Sequence, residues 1–182
     1  MSRIKMKAEK DYPLWVRILF YLQRRKYGVV FEPTKVWARR PKLLWQFTKM
    51  FKKLFNKRAL IDPQTRGLVC VKVAETNHCP FCIDMNAALY LKAGGDEKKL
   101  QALETFEESD LFSKKEVITL RFAEKVTHCQ DKVSDKLFSQ LKEHYTDDAI
   151  VELTALITFQ NMSAKFNSAL DIPSHHLCKV PL

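Results

Sequence analysis

Cys79 and Cys82, separated by Pro80 and Phe81, form the motif of this sequence best suited to chemistry. Proline is favoured at the first position of a helix, so the spacing predicts that Cys79 caps a helix and that Cys82 lies in its first turn. Two thiols in this arrangement can close a small disulfide ring, and a helix N-terminus favours the thiolate, the form that attacks. One sulfur would attack an oxidant or a partner disulfide and the other would resolve the intermediate, so each turnover would leave a Cys79–Cys82 disulfide.

The same pair of cysteines could instead be structural or bind a metal ion. A zinc site would need further ligands, for which His175, His176 and Cys178 are available, but the sequence has no second C-x-x-C and no regular histidine spacing. A thioredoxin-type assignment is disfavoured because that motif follows a strand, whereas helical patterns flank this one on both sides. We therefore predict redox use of the dithiol, with no metal and no cofactor. The alternative is a non-catalytic or zinc-binding interaction protein on the same fold.

The composition predicts one globular domain spanning residues 1–182. Hydrophobic residues make up 46% and charged residues 29% of the 182 residues, and the four glycines are too few for a turn-rich all-β fold. No apolar run reaches the roughly 18 residues that a membrane span needs, because Arg17 and the cluster Arg24, Arg25 and Lys26 interrupt the most apolar N-terminal stretch. The sequence has no export signal and an odd number of cysteines, five. We therefore expect a cytoplasmic protein, since a close cysteine pair in a reducing compartment is redox-active or binds metal.

Positive charge is concentrated in the N-terminal third of the chain. Residues 1–66 contain 18 Lys or Arg against four Asp or Glu, and the remaining residues are net acidic. Such asymmetry can mark a surface for nucleic acid, anionic lipid or an acidic partner. No nucleic-acid-binding motif and no Gly-rich phosphate loop is present, so we expect no nucleic-acid partner. The basic helical part, residues 1–60, could lie on an anionic membrane, but we expect its apolar stripes to pack on the core and its lysines to face solvent.

Helix start and stop signals predict about eight helices and no strands. The expected helices run from Leu14 to Gly28, onward from Pro41, from Asp62 to about Thr76 and from about Pro80 to Ala93, with four more beginning at Asp96, Ser113, Ser134 and Thr146. The last of these is apolar over much of its surface, so we expect it to be central or to lie at a subunit interface.

Several segments around the dithiol resemble the AhpD-like branch of the carboxymuconolactone decarboxylase superfamily. The resemblance is carried by Asp62–Arg66, the run from Cys79 to Met85 and Lys92–Gly94, and it extends to Lys26–Val30, Phe122–Glu124 and the stretch from Asp147 to Leu170. It implies an all-α, multi-helix fold, assembly as a homo-oligomer, and activity as a thiol-disulfide reductase or a hydroperoxide peroxidase. Carried over by position, it implies that Cys82 is oxidised to sulfenic acid and that Cys79 is its resolving partner and proton donor. The substrate would be a hydroperoxide or a disulfide, and the reductant an unidentified protein or small thiol.

Two positions depart from the pattern of that family. A glutamate usually precedes the first cysteine by twelve residues and a histidine follows the second by four, and here these places hold Gly67 and Asn86. Positioned acid–base groups contribute about 10²- to 10⁴-fold to a rate. We therefore expect slow peroxidase chemistry, or chemistry that uses Glu75 or His78 instead. His78 adjoins the motif, although a histidine in such a place can equally be an exposed turn residue.

Gly67 is unusual for a second reason, since it lies inside a predicted helix. Glycine there costs about 1 kcal/mol relative to alanine, so a local reason for it is expected. Either the position drifted after the glutamate was lost, or a side chain there would obstruct a close helix contact or a ligand.

Overall fold

Helices supply all the regular secondary structure of the described part of the chain. The computed structural model describes residues 2–128 and 132–180, and the all-α prediction is confirmed for them. A short 3₁₀ helix (Glu9–Asp11) precedes the α-helices: α1 (Leu14–Tyr27), α2 (Glu32–Ala38), α3 (Pro41–Leu54), α4 (Pro63–Thr76), α5 (Pro80–Lys92), α6 (Glu97–Gln101), α7 (Lys114–His128), α8 (Asp135–Lys142) and α9 (Asp147–Ala169). The helix that the sequence analysis missed is α2, which is only seven residues long and has no side-chain cap.

The predicted helix boundaries are held by local hydrogen bonds. Asp62, Ser134 and Thr146 cap α4, α8 and α9, and each side chain accepts the backbone N–H three residues later at 2.9 to 3.3 Å. Helix α1 ends at Gly28, whose φ of 76° places it in the left-handed region that favours glycine. These short-range contacts explain why sequence signals alone located most helices.

Helix α9 is the central element of the fold. It packs against α3, α4, α5, α7 and α8, and most of its large apolar side chains are buried. Among its large hydrophobic residues only Val151 and Met162 are exposed. The prediction of a central position is therefore confirmed, and α9 does not supply the apolar surface from which an oligomer was also expected.

The apolar stripes of the N-terminal helices are only partly covered. Val16 and Phe20 are the buried residues of α1, whereas Leu14, Ile18 and Leu22 of its predicted stripe are 69, 51 and 53% exposed. The expectation that this stripe packs on the core was wrong for all of its residues except Leu19, which packs on the core, because the opposite face of α1 fills that place. On α3, Leu44 and Leu54 are buried, while Leu43, Trp45, Met50 and Phe51 are exposed. No described helix is both long and apolar enough to cross a membrane.

Helices α4 and α5 approach one another closely at Gly67. A Cβ atom at this position would lie 2.6 Å from Cβ and 3.0 Å from Cα of Tyr90, a residue of α5 that is itself buried. Atoms at these distances overlap, so the backbones could not stay where they are. The close helix contact therefore explains Gly67, and drift of the position is not needed as a reason.

Candidate functional site

Cys79 begins the helix that carries the dithiol. Its backbone is extended, its sulfur accepts the backbone N–H of Cys82 at 3.2 Å, and Pro80 follows as the first helical residue. The chain reaches this point from α4 through a tight turn in which His78 has a φ of 50° and the backbone N–H of Cys79 donates to Ala74. The predicted capping arrangement is thus present, and it directs the N-terminus of α5 at the Cys79 sulfur.

A disulfide joins Cys79 to Cys82 within the chain. Their Cα atoms are 5.2 Å apart, within the usual range for disulfides. The two residues are 0 and 3% exposed and pack with apolar side chains of α2, α4 and α9 and with Ile172. In such surroundings hydrogen bonds to the sulfurs are stronger than in water.

Asn167, near the end of α9, contacts the dithiol directly and was missed by the sequence analysis. Its side-chain Nδ2 donates to Sγ of Cys82 at 3.3 Å. The residue is 2% exposed, and its Oδ1 is buried without a hydrogen-bond partner among the described residues. No sequence signal singles it out, because α9 contains two further buried amides, Gln160 and Asn161.

Asn86, at the position of the family's histidine, turns towards its own helix. It is buried, and its Nδ2 donates to the backbone carbonyl of Cys82 at 2.8 Å. An amide in this bond cannot titrate. At the other relay position the space is taken by the contact between Gly67 and Tyr90. Neither position supplies an acid or a base to the sulfurs.

The two substitute acid–base candidates lie differently with respect to the dithiol. His78 adjoins Cys79 in the chain, but it is exposed, whereas both sulfurs belong to buried residues. Its backbone carbonyl accepts a hydrogen bond from Ser168 Oγ at 2.9 Å, which ties the turn to α9. The structure therefore places His78 at the surface beside the buried pair.

Glu75 has a pKa suited to proton transfer but belongs to another cluster. Burial raises the pKa of its carboxyl to about 7, Lys72 acts against this shift, and Glu104 and Glu124 add to it. Lys72 in turn pairs with Glu124 at 3.0 Å and donates to the carbonyl of Leu103. No hydrogen bond or ion pair of the described residues joins Glu75 to the dithiol, and its charged neighbours are Lys72 of α4, Glu124 of α7 and Glu104, which lies between α6 and α7.

The residues considered as additional zinc ligands lie in the segment after α9, which is bonded to Asp84 of α5. Asp84, which is buried, accepts hydrogen bonds from Ser174 Oγ and from the backbone N–H groups of His175 and Cys178 at 2.7 to 2.9 Å. The His175 ring packs edge-on against Phe81, and burial lowers its pKa. Among residues 2–128 and 132–180, no three His, Cys, Asp or Glu side chains are grouped so that they could hold a metal ion.

Comparison with known proteins relates this sequence to one family. A sequence profile of the carboxymuconolactone decarboxylase family matches residues 41–125. The uncharacterized protein YnjA of Escherichia coli is 38% identical over 169 residues, which are 93% of each chain. The uncharacterized protein YdfG of Bacillus subtilis is 31% identical over 117 residues, 64% of this chain and 80% of that protein.

Solved structures with the same fold are more distant in sequence. An uncharacterized peroxidase-related protein from Ralstonia eutropha, described as an alkylhydroperoxidase AhpD core, superimposes with a TM-score of 0.86 at 20% identity and covers 97% of this chain and 94% of its own. The debrominase Bmp8 superimposes with a TM-score of 0.80 at 18% identity, over 94% of this chain and 91% of its own. At these identities the likeness establishes the arrangement of helices.

Proposed function

Because this chain belongs to the carboxymuconolactone decarboxylase superfamily, in its AhpD-like branch, we propose that it is a dithiol oxidoreductase that reduces a hydroperoxide or a disulfide through Cys79 and Cys82. The observation that carries the proposal is the Cys79–Cys82 pair at the start of α5, joined as a disulfide, with a hydrogen-bond donor on each sulfur. Membership of this family, together with the disulfide, supports a redox function over a zinc-binding or purely structural one.

The proposed cycle consumes one hydroperoxide and one external dithiol per turnover. The Cys82 thiolate attacks the terminal oxygen of a hydroperoxide, the O–O bond breaks, and with one proton the products are an alcohol and a Cys82 sulfenic acid. The Cys79 thiol then attacks the Cys82 sulfur, the S–O bond breaks, and water leaves with the thiol proton, so the disulfide forms. A protein or small-molecule dithiol, oxidised in exchange, returns both sulfurs to thiols.

Burial of the pair favours a small oxidant over a protein disulfide. The two cysteines are 0 and 3% exposed, and Ile172 and Leu177 of the C-terminal segment, residues 171–180, pack in the same cluster. A protein disulfide or a protein dithiol must come within bonding distance of a buried sulfur, so reaction with a protein partner requires the C-terminal segment to move aside. A small hydroperoxide needs only a narrow opening beside the segment.

Mild peroxide treatment of the reduced protein should link Cys79 to Cys82 within one chain. The pair is already within disulfide geometry, whereas burial raises the pKa of Cys70 to about 12, which keeps that thiol protonated and unreactive. Mass spectrometry of the digested protein would locate the bond. The matched control is Cys178→Ser, which should leave the Cys79–Cys82 bond unchanged, while Cys82→Ser should abolish it.

Two results would contradict the proposed function. One is that both thiols of the pair stay free under conditions that oxidise the partly exposed Cys178. The other is a purified protein with stoichiometric zinc bound to the pair, which would favour the interaction-protein alternative.

A membrane-associated version of this redox protein is the second candidate, favoured by the exposed face of α1 and α3. We define the α1–α3 face as Leu14, Trp15, Ile18, Leu22 and Trp45, which are exposed and are joined by an edge-on contact of the two tryptophan rings. Helices α1 and α3 contain eight Lys or Arg and no Asp or Glu. A second copy of the same face would bring like charges together, whereas an anionic lipid surface is complementary in charge.

Binding to vesicles should be salt-sensitive and confined to this face. We expect co-sedimentation with anionic vesicles at low salt, little with neutral vesicles, and roughly fivefold weaker binding for each of Lys42→Gln and Lys49→Gln, since a cation near such a surface contributes about 1 kcal/mol. Ile18→Asn should weaken binding further, and Val151→Asn, at an even more exposed position on α9, should not. Light scattering in the same buffers measures the expected homo-oligomer. Absence of vesicle binding, with loss of an oligomer in Ile18→Asn, would make the face a subunit contact instead.

A further inference from the structure

The two sulfurs of the dithiol have different hydrogen-bond donors. Sγ of Cys79 accepts the backbone N–H of Cys82 at 3.2 Å, a bond that belongs to the capping of α5. Sγ of Cys82 accepts the side-chain amide of Asn167 at 3.3 Å. The second bond crosses from α9 to α5, over 85 residues of sequence, so it depends on the tertiary fold and on one side chain.

Asn167 is firmly held in position at the end of α9. It is 2% exposed, and its backbone carbonyl accepts hydrogen bonds from the N–H groups of Leu170 and Ile172 at 3.3 and 3.0 Å. Its Oδ1 receives no hydrogen bond from the described residues. A buried amide oxygen normally has a partner. Reduction of the disulfide creates S–H groups, and a sulfenic acid brings an O–H, so the catalytic cycle supplies donors that the disulfide form lacks.

No other polar side chain among the described residues is hydrogen-bonded to the Cys82 sulfur. Asn86 is engaged with the backbone carbonyl of Cys82, and Glu75 interacts with Lys72, Glu104 and Glu124. His78 is exposed. Among the described residues, Asn167 is therefore the one side-chain donor placed at the Cys82 sulfur.

We infer that Asn167 is a catalytic residue of the dithiol cycle, whose amide N–H stabilises the thiolate of Cys82, the attacking sulfur of the proposed cycle. This inference rests on the proposed redox function. A hydrogen bond to the charged form of a group favours that form and lowers the pKa of a thiol. Because the bond is buried and charge-assisted in the reduced protein, it is stronger than a bond between neutral groups. No proton is transferred to or from the amide. Asn167 therefore stabilises the thiolate but does not act as the acid or base that Gly67 and Asn86 fail to supply.

The test is the pKa of the Cys82 thiol in the reduced Cys79→Ser protein, measured from the pH dependence of iodoacetamide alkylation and located by mass spectrometry. Asn167→Leu, of similar size, should raise this pKa by about one to two units. Asn167→Asp should raise it at least as much, because an ionised carboxylate repels the thiolate. The matched control is Asn86→Leu, which removes a buried amide from α5 that does not touch the sulfur and should leave the pKa of Cys82 nearly unchanged.

The outcomes separate this inference from the proposed function, because alkylation needs no oxidant. Parental pKa values in folded Asn167→Leu or Asn167→Asp would overturn the role of Asn167, even if peroxide still closed the disulfide. If neither variant folds, the test is the pKa of Cys82 in the Cys79→Ser protein itself. A Cys82 pKa no lower than that of an ordinary thiol, in the Cys79→Ser protein with Asn167 intact, would overturn the inference as well. A shifted pKa in a protein that peroxide does not oxidise would support the hydrogen bond and refute the redox cycle.

Discussion

Replacing Gly67 with glutamate, the residue that the resemblance to the AhpD-like pattern leads one to expect at this position, should prevent this chain from folding. The new Cβ would lie 2.6 Å from Cβ and 3.0 Å from Cα of Tyr90, and Gly67 itself is buried in α4. Overpacking of a core typically costs about 1 to 3 kcal/mol, and an unpaired buried carboxylate costs several more. The total approaches the roughly 5 to 15 kcal/mol by which a domain is stable.

The alanine variant isolates the steric part of this effect. Gly67→Ala should lower the free energy of unfolding by about 1 to 3 kcal/mol, despite the gain of about 1 kcal/mol in helix propensity. Urea unfolding followed by circular dichroism measures the loss. Tyr90→Ala should give no relief in the double variant, because alanine keeps the Cα and Cβ atoms that overlap with the new side chain. A Gly67→Ala protein more stable than the parent would show that α4 and α5 can move apart.

The contact at Gly67 also limits how the proton relay could be rebuilt. A glutamate on α4 at this position requires a wider spacing between α4 and α5, and here Tyr90 closes that space. In this chain the loss of the carboxylate is therefore coupled to the packing of two helices that also set the position of the dithiol. The histidine position on α5 does not have this restriction.

Helix boundaries that depend on a few neighbouring residues were predictable, because their causes are local. The caps of α4, α8 and α9 act within four residues, and the start of α5 follows from Cys79 and Pro80. Helix α2 escaped prediction because a seven-residue helix without a side-chain cap leaves little signal. On α1, periodicity identified apolar residues but selected the wrong buried face, since Val16 and Phe20 form a second apolar face opposite to Ile18.

The chemistry of the candidate site was predictable only in part. Cys79 and Cys82 are identified by type and spacing, whereas the contact between Asn167 and Cys82 joins residues 85 apart in the chain. Tertiary packing determines which helix brings an amide to the sulfur. The same holds for Asp84, whose three partners lie in the C-terminal segment. Proximity in the chain suggested a role for His78 because it is next to Cys79, but the residue is exposed.

Introducing the missing imidazole alone, as Asn86→His, should raise hydroperoxide turnover about tenfold or more. Residue 86 lies one helical turn after Cys82, so a side chain there can approach the sulfur, and Asn86 already reaches the backbone carbonyl of Cys82. A positioned acid or base contributes at least about a hundredfold when ideally placed, and we expect less because the carboxylate partner remains absent. Turnover would be measured with a small alkyl hydroperoxide and a dithiol reductant, after confirming that the variant folds.

The gain in turnover of Asn86→His should depend on pH in the range in which an imidazole titrates. Between about pH 5 and 8 the rate of Asn86→His should vary with the protonation of the new ring, while Asn86→Gln, which cannot titrate, should keep the parental rate. Asn161→His places the same ring on α9, where Asn161 bonds to Asn77 and Thr127, and should give no gain. If Asn86→His folds without any gain while His78→Ala or Glu75→Gln abolishes a robust parental activity, then proton transfer has moved to that residue. His78 would then have to turn inward, or Glu75 would have to gain a contact with the dithiol, in the reduced protein.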